Sequence, residues 1–268
     1  MSPSSFDYAQ DDKTALRTGS VKGKHAVVTG GSRGIGLAVA QRLVQEGARV
    51  SIVSRSSFDS AQDDTRGSVE GPFYATADIR DESDIRRVFQ ECRDANGPID
   101  ILVNNAGIVE SATLARTSSE MWDRIIATNL TGTFLCTREV FPEMTAARWG
   151  RIVNVASTAG LAGAPYIAAY CASKHGVVGF TRAVAAEAAG TGVTANAICP
   201  GYTETDILRS AVANITAKTG RDEEETRRVL AASNPQGRIA TVDEVAEAVL
   251  MLINGSQTGE ALIVPLPS

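Results

Sequence analysis

Short apolar runs alternate with longer amphipathic stretches along most of the chain. Apolar runs bounded by glycine or polar residues are typical of buried strands, and apolar positions three and four apart predict helices. Strands that alternate with helices predict βαβ units and an α/β fold with a parallel sheet. The predicted strands cover 24–28, 50–53, 73–75, 99–103, 151–155, 193–198 and 261–264, and the predicted helices cover 34–46, 82–94, 119–146, 168–189 and 242–253.

Two features depart from this alternation. The segment 4–12 returns at 56–64 with one difference, and both copies are polar and acidic. Two copies do not make a solenoid, so we expect both to be mobile surface insertions and the whole of 1–21 to be a disordered tail. The segment 202–236 is long, polar and helix-prone, which favours either a substrate lid or a solvated surface helix. The folded domain is expected to span 22–268.

Composition excludes several classes of function. The chain has 26 Lys and Arg against 31 Asp and Glu, a net charge of −5, so it lacks the basic footprint that nucleic acid requires. It contains no run of about 18 apolar residues, and we expect no membrane partner. Two histidines and four cysteines without a CxxC pair predict no metal site. Acidic residues stand where a signal peptide would be apolar, so we expect a cytoplasmic protein.

A glycine-rich turn joins the first predicted strand to the first predicted helix. Its sequence, TGGSRGIG at 29–36, has the spacing TGxxxGxG. Glycines at such a turn let the backbone approach a pyrophosphate at the helix N-terminus, although a purely structural turn would give the same pattern. The position in the first βα unit favours dinucleotide binding.

Tyr170 and Lys174 stand four residues apart on a predicted helix, so their side chains lie on one face. A phenol titrates near 10, and a neighbouring ammonium favours the phenolate. Lowering that pKa to about 7 requires ~4 kcal/mol, which Lys174 would share with an oxidised nicotinamide. Tyr170 is then a general acid in reduction and a base in oxidation, while Ser157 donates to the substrate carbonyl. The alternative is a core tyrosine beside a surface lysine.

These motifs occur in an order that resembles the short-chain dehydrogenases/reductases. Further matches are NNAG at 104–107, PGYTET at 200–205 and NPQGR at 234–238, the last two similar to 3-oxoacyl reductases and polyketide ketoreductases. The resemblance implies a single Rossmann-fold domain, with a doubly wound, seven-stranded parallel sheet and helices on both faces. The catalytic residues that it implies are Asn129, Ser157, Tyr170 and Lys174, with Asn129 holding a water that links Lys174 to solvent.

The resemblance also implies a cofactor site, in which Asp78 contacts the adenine. The implied cofactor-binding residues are Gly30, Ser32, Arg33, Gly34, Ile35, Gly36, Ser54, Arg55, Asp78, Ile79, Asn105, Ala106, Gly107, Tyr170, Lys174, Pro200, Gly201, Thr203 and Thr205.

Two arginines bear on the choice of cofactor. Ser54 stands where NAD-binding units carry an acid for the ribose 2′-OH, and Arg55 follows it. With Arg33 in the glycine loop, an arginine pair suits a 2′-phosphate, so we expect NADP(H) to be preferred over NAD(H). The alternative is that both arginines are solvated surface residues. The second repeat copy, at 56–64, would lie near the adenosine and could weaken phosphate affinity.

The expected function is that of an NADPH-dependent carbonyl reductase and secondary alcohol dehydrogenase. A 3-oxoacyl thioester is the first choice of substrate, by resemblance, because the residues after Ser157 are small or apolar and offer no ionic clamp. Another ketone or alcohol, such as a sugar or steroid, and a non-catalytic nucleotide-binding regulatory module remain alternatives. A homotetramer is expected, with contacts through the helices at 119–146 and 168–189, although Pro265 and Pro267 depart from the family's C-terminal ending.

Overall fold

The computed structural model of the protein describes residues 21–55 and 71–264. Seven parallel strands form one sheet in the order β3-β2-β1-β4-β5-β6-β7. The chain therefore moves outward from β1 in one direction, then returns to the other side of β1 at β4, which creates a switch point between these two strands. The strands are β1 (His25–Thr29), β2 (Arg49–Ser54), β3 (Phe73–Thr76), β4 (Ile101–Asn104), β5 (Gly150–Val155), β6 (Val193–Pro200) and β7 (Ala261–Val264).

Helices cover both faces of the sheet, as expected for parallel strands that are apolar on both sides. Ala26 and Val28 point into a core shared with α1 and α8, whereas Val27 between them points into a core shared with α2, α4 and α5. The helices are α1 (Gly34–Gln45), α2 (Glu82–Asn96), α3 (Ser119–Ile126), α4 (Gly132–Ala146), α5 (Ala168–Glu187), α6 (Asp206–Thr219), α7 (Glu223–Ala232) and α8 (Val242–Asn254).

The carboxyl ends of the central strands meet at one edge of the sheet. Thr29 at the end of β1 is paired with Asn104 of β4, which is in turn paired with Asn154 of β5. The loops that follow β1, β4, β5 and β6 therefore leave the sheet side by side. Ligands of open parallel sheets bind at this edge, beside the switch point.

The predicted α/β architecture is confirmed, with one internal difference. The single helix predicted at 119–146 is divided into α3 and α4 by a π-helical turn at Ala127–Thr131. The segment 202–236 contains α6 and α7, which pack around a small core of their own. Val21, placed at the end of the predicted tail, is buried in the main core. The rest of that tail, both repeat copies and the C-terminal prolines lie outside the described residues.

Candidate active site

The glycine loop after β1 is hydrogen-bonded to the loop after β4. Thr29 Oγ1 accepts hydrogen bonds from the backbone N–H groups of Asn105 and Ala106, each at 3.1 Å. The Asn105 amide donates back to the carbonyl oxygens of Thr29, at 2.9 Å, and Gly30, at 3.0 Å. Because both loops end neighbouring parallel strands, these bonds fix the two sides of the crevice at the switch point.

Two glycines are required where these loops meet. Gly30 has a φ of +66°, and a Cβ there would lie 2.8 Å from Ala106 Cα. A Cβ on Gly36 would lie 2.4 Å from Asn105 Nδ2 and 2.5 Å from Gly30 O. Arg33, which caps α1, makes no side-chain capping bond, so the first-turn N–H groups are not covered by their own cap. This close-set cradle at a helix N-terminus fits the pyrophosphate of a dinucleotide.

Ser157, Tyr170 and Lys174 come together beside this cradle. Ser157 follows β5, and its hydroxyl lies close enough to the partly buried Tyr170, in the first turn of α5, to lower the pKa of that phenol. Lys174 lies one turn further along α5 and is only 5% exposed. Its Nζ donates to the carbonyl oxygen of Val155 at 2.7 Å and lies 5.7 Å from the centroid of the Tyr170 ring. The predicted lysine is therefore a buried group, not a surface charge.

Burial shifts the pKa values of Tyr170 and Lys174 in the directions that disfavour their charged forms. It raises the pKa of Tyr170 to about 12, against a smaller lowering by the Ser157 hydroxyl. It lowers the pKa of Lys174 to about 8. Burial thus acts against the lowering of the phenol's pKa that Lys174 is expected to share with an oxidised nicotinamide, and that lowering stays a prediction. Tyr170 is protonated at neutral pH.

Asn129 lies on the π-helical turn, which places its side chain against the loop after β4. Its Oδ1 accepts from Ile108 N at 2.8 Å, and its Nδ2 donates to Ile108 O at 2.9 Å and to Ser173 Oγ at 3.0 Å. Ser173 Oγ in turn donates to the carbonyl oxygen of Tyr170 at 2.7 Å. Asn129 therefore connects this loop to the catalytic turn of α5, as π turns at functional sites often do. Sequence reasoning did not identify Ser173, which lies between two recognised residues.

Gly107 stands between Asn129 and Lys174. A Cβ at this glycine would lie 3.3 Å from Asn129 Oδ1 and 3.6 Å from Lys174 Nζ. The missing side chain therefore leaves both polar groups facing one small space. That a water in this space links Lys174 to solvent stays a prediction.

The segment predicted as a lid, 202–236, is tied at both ends by one buried side chain. Asn234 is 4% exposed, and its Oδ1 accepts from Tyr202 N at 2.7 Å. Its Nδ2 donates to the carbonyl oxygens of Tyr202, at 2.8 Å, and Arg238, at 2.6 Å. A Cβ on Gly201 would lie 2.2 Å from Asn234 Oδ1, which explains the glycine. Asn234 was noticed in the sequence only as part of a resemblance.

Of the two arginines predicted to share a phosphate, Arg33 lies beside a carboxylate, and Arg55 acts by its charge on Asp78. Arg33 Nη1 lies 3.8 Å from Asp206 Oδ2, with 79% of the Arg33 side chain exposed. Asp78 accepts from Arg80 Nε at 2.9 Å, and this bond holds the pKa of Asp78 below its usual range, helped by the charge of Arg55. Asp78 is thus already paired, a contact the sequence did not predict.

The other predicted cofactor residues line the same edge of the sheet or support it. Thr203 Oγ1 donates to Gly201 O, and Thr205 Oγ1 donates to Thr203 O, each at 3.1 Å, so the turn after β6 is internally bonded. Thr205 also caps α6. Ser54 is the last residue of β2, and Pro200 is the last residue of β6. Ser32 lies in the glycine loop, and Ile35 packs against the main core. Ile79 is buried, and a Cβ on Gly132 would contact it.

Other kinds of site find little support in the described ranges. No cluster of three or more metal-type ligands occurs among residues 21–55 and 71–264. None of the helices described there has both the length and the apolar character needed to cross a bilayer. A cavity of about 260 Å³ lies between α1, α8 and the start of α6, and another, also of about 260 Å³, lies beside Leu114 and Trp122.

Comparison with known proteins agrees with this geometry. Residues 24–216 match the model of the short chain dehydrogenase family. The chain is 40% identical to a D-beta-hydroxybutyrate dehydrogenase of Cupriavidus necator, over 87% of this chain and 91% of the relative. It is 37% identical to the 3-oxoacyl-acyl-carrier-protein reductase FabG of Vibrio cholerae, over 91% and 96% of the two chains. A crystal structure of an actinorhodin polyketide ketoreductase variant with NADPH superposes with a TM-score of 0.82, at 38% identity over 90% of this chain and 95% of the other.

Proposed function

The chain belongs to the short-chain dehydrogenase family, and from that premise we propose that it reversibly reduces a 3-oxoacyl thioester to the 3-hydroxyacyl thioester with NADPH. Membership makes it an oxidoreductase that acts on ketone and CH–OH groups. The observation that carries carbonyl reduction is the grouping of Ser157 and Tyr170 beside the glycine cradle, with Lys174 buried behind them. The choice of a thioester is supported by the uncharged stretch after Ser157 and by the relative named as a 3-oxoacyl reductase.

The site's own residues divide the chemistry between them. Tyr170, protonated at neutral pH, donates its phenolic proton to the oxygen of the substrate carbonyl. The Ser157 hydroxyl donates a hydrogen bond to the same oxygen as negative charge develops there. Lys174 places a positive charge near the phenol when its amine is protonated. The nicotinamide, when bound, supplies the hydride.

The cradle and its surroundings support NADPH as the preferred cofactor. Ser54 ends β2 where an acid would select NADH, and Arg33 presents an exposed guanidinium at the start of α1. The solved ketoreductase of similar sequence carries NADPH. Dissociation constants for NADPH and NADH, measured by calorimetry, test this preference. Equal affinities, or tighter binding of NADH, contradict it.

A neutral substrate fits the residues beside Ser157. The stretch 159–164 after Ser157 carries only alanine, glycine and leucine, so it offers no cation to a free carboxylate. A thioester presents no charge at this position, whereas a free hydroxy acid such as hydroxybutyrate presents one. The relative named for hydroxybutyrate makes the free acid the second candidate.

The decisive assay follows NADPH absorbance with matched substrates. Acetoacetyl-CoA, acetoacetate and a panel of simple ketones are compared at equal concentration, and the proposal expects the highest kcat/KM for acetoacetyl-CoA. Tyr170→Phe removes the proton donor and should lower kcat by roughly 10²–10⁴-fold. Tyr74→Phe removes a phenol from the exposed surface of β3 and should leave kcat unchanged. Absence of turnover on every substrate, despite tight NADPH binding, would favour a regulatory binding module.

We also propose a homotetramer in a reducing compartment. Trp122 and Phe134, on α3 and α4, are large apolar side chains with 41% and 38% of their surface exposed, which supports contacts through the predicted helices. The four cysteines are free and buried, which suits the cytoplasm. Light scattering coupled to gel filtration would give a tetramer mass, and a monomer mass would contradict the proposal.

A further inference from the structure

The start of the lid rests directly on the glycine loop. A Cβ on Gly34, the first residue of α1, would lie 3.5 Å from Thr205 Cγ2, and Thr205 is the cap of α6. The next residue, Asp206, places Oδ2 3.8 Å from Arg33 Nη1. The glycine loop and the start of α6 thus line one cleft, and an ion pair joins them across it.

The ion pair gives Arg33 a carboxylate partner where the sequence predicted a phosphate. Asp206 also pairs with Arg209 on its own helix, so this carboxylate is shared between two arginines. Half of the Asp206 side chain and 79% of the Arg33 side chain are exposed, so the pair is weak and the arginine can change partner. A carboxylate and a phosphate bind a guanidinium through the same planar set of donors, and one arginine cannot serve both fully.

We propose that Asp206 is a specificity-determining residue for the cofactor, because it competes with the 2′-phosphate of NADPH for Arg33. NADH, which lacks that phosphate, leaves the Arg33–Asp206 pair intact. NADPH binding draws Arg33 away from Asp206 and so removes the ion pair between the glycine loop and the start of α6. Asp206 therefore reduces the ratio of the affinity for NADPH to the affinity for NADH. This inference rests on the proposed use of Arg33 for NADPH.

The direct test is binding without turnover. Calorimetry at low salt compares wild type with Asp206→Asn, an isosteric change that keeps the first position of α6, using NADPH, NADH and the fragment 2′,5′-ADP. Loss of an exposed competing pair should tighten NADPH and 2′,5′-ADP roughly two- to fivefold and leave NADH unchanged. The gain should shrink at high salt, since exposed charges are screened.

Two further variants locate the effect. Asp243→Asn removes a negative charge from the same cleft, which Asp206 and Asp243 both line, and should leave the ratio of NADPH to NADH affinity unchanged. Arg33→Gln should weaken NADPH, and adding Asp206→Asn to Arg33→Gln should then have no further effect, because the contested guanidinium is gone.

The outcomes separate the two proposals. If Arg33→Gln weakens NADPH but Asp206→Asn changes nothing, the inference is wrong and the NADPH assignment stands. If Arg33→Gln also changes nothing, the role of Arg33 in NADPH binding is wrong and the inference falls with it. If Asp206→Asn and Asp243→Asn tighten NADPH equally, the effect is one of net charge, and competition for Arg33 is refuted.

Discussion

Replacing Asn234 with alanine should loosen the lid without unfolding the sheet. The change removes an acceptor from the N–H of half-buried Tyr202 and a donor from the carbonyl oxygen of Arg238, an exposed residue. The carbonyl oxygen of Tyr202 keeps a partner, because it also accepts from Ala240 N at 3.0 Å. Two polar groups are therefore left unpaired.

The size of the effect follows from those two groups. Leaving a buried donor or acceptor unpaired costs about 1–3 kcal/mol each. Because water can reach the exposed Arg238, its carbonyl oxygen should cost less, so we expect the clamp to weaken by about 2–4 kcal/mol. The lid keeps its own small core of Leu208, Val212 and Leu230, so α6 and α7 should remain paired with each other while their attachment to the sheet loosens. Opening of the lid should then become roughly 30- to 1,000-fold more frequent.

Hydrogen exchange measured by mass spectrometry distinguishes local from global loosening. Asn234→Ala should speed exchange across 202–238 and leave β4 and β5 protected, with a higher KM for cofactor and substrate. Asn234→Asp should behave similarly, because its second oxygen would face two carbonyl oxygens. Ser233→Ala, an exposed neighbour whose hydroxyl donates only to Val229 O, is the matched control and should change stability by less than about 0.5 kcal/mol. Unchanged exchange in Asn234→Ala would refute the clamp.

Three further predictions concern the cradle, the core and the catalytic lysine. Gly36→Ala should abolish dinucleotide binding in calorimetry, because its Cβ would overlap Asn105 Nδ2, whereas Gly179→Ala, which meets nothing within 4 Å, should bind normally and raise Tm slightly. Burial lowers the pKa of His25, so the free energy of unfolding should fall as the pH drops below 6.5, where the unfolded chain binds a proton more readily than the native state does. A free energy of urea unfolding that stays constant from pH 7 to pH 5 would contradict this. Lys174→Met should eliminate turnover. It should also raise the free energy of unfolding near pH 7 by about 1–2 kcal/mol, because it removes a buried ammonium with a pKa of about 8. A lower Tm than that of the wild type would contradict this expectation.

Much of the fold could be predicted from the sequence because parallel strands are buried on both sides. Runs such as 26–28 and 101–103 are continuous in apolar residues, and their alternation with helices predicts one architecture. The proximity of Tyr170 and Lys174 could be predicted for a similar reason, since the two residues are one helical turn apart. Both signals are local in sequence.

The features that escaped prediction depend on contacts between distant segments. The periodicity of apolar residues does not predict the π-helical turn at Ala127–Thr131. This turn carries Asn129, whose hydrogen bonds go to Ile108, 21 residues away in the sequence. Asn234 accepts a hydrogen bond from Tyr202 N, 32 residues away, and the resemblance that singled out 234–238 in the sequence does not predict this contact. The pairing of Arg33 with Asp206 likewise joins two loops that only the fold brings together.

The pKa values of Tyr170 and Lys174 indicate what a bound cofactor must contribute to the proposed reaction. A Tyr170 pKa of about 12 keeps the phenol protonated across the neutral range. A Lys174 pKa of about 8 leaves its positive charge largely present at neutral pH and diminishing above it. A general acid or base works best when its pKa lies near the operating pH, and the phenol that donates in reduction is the group that must be a phenolate in oxidation. Burial therefore opposes proton transfer in both directions, and the proposed reaction requires the charges of Lys174 and of an oxidised nicotinamide to offset it. Because desolvation involves no residue specific to one substrate, this requirement holds whatever acyl group the site accepts.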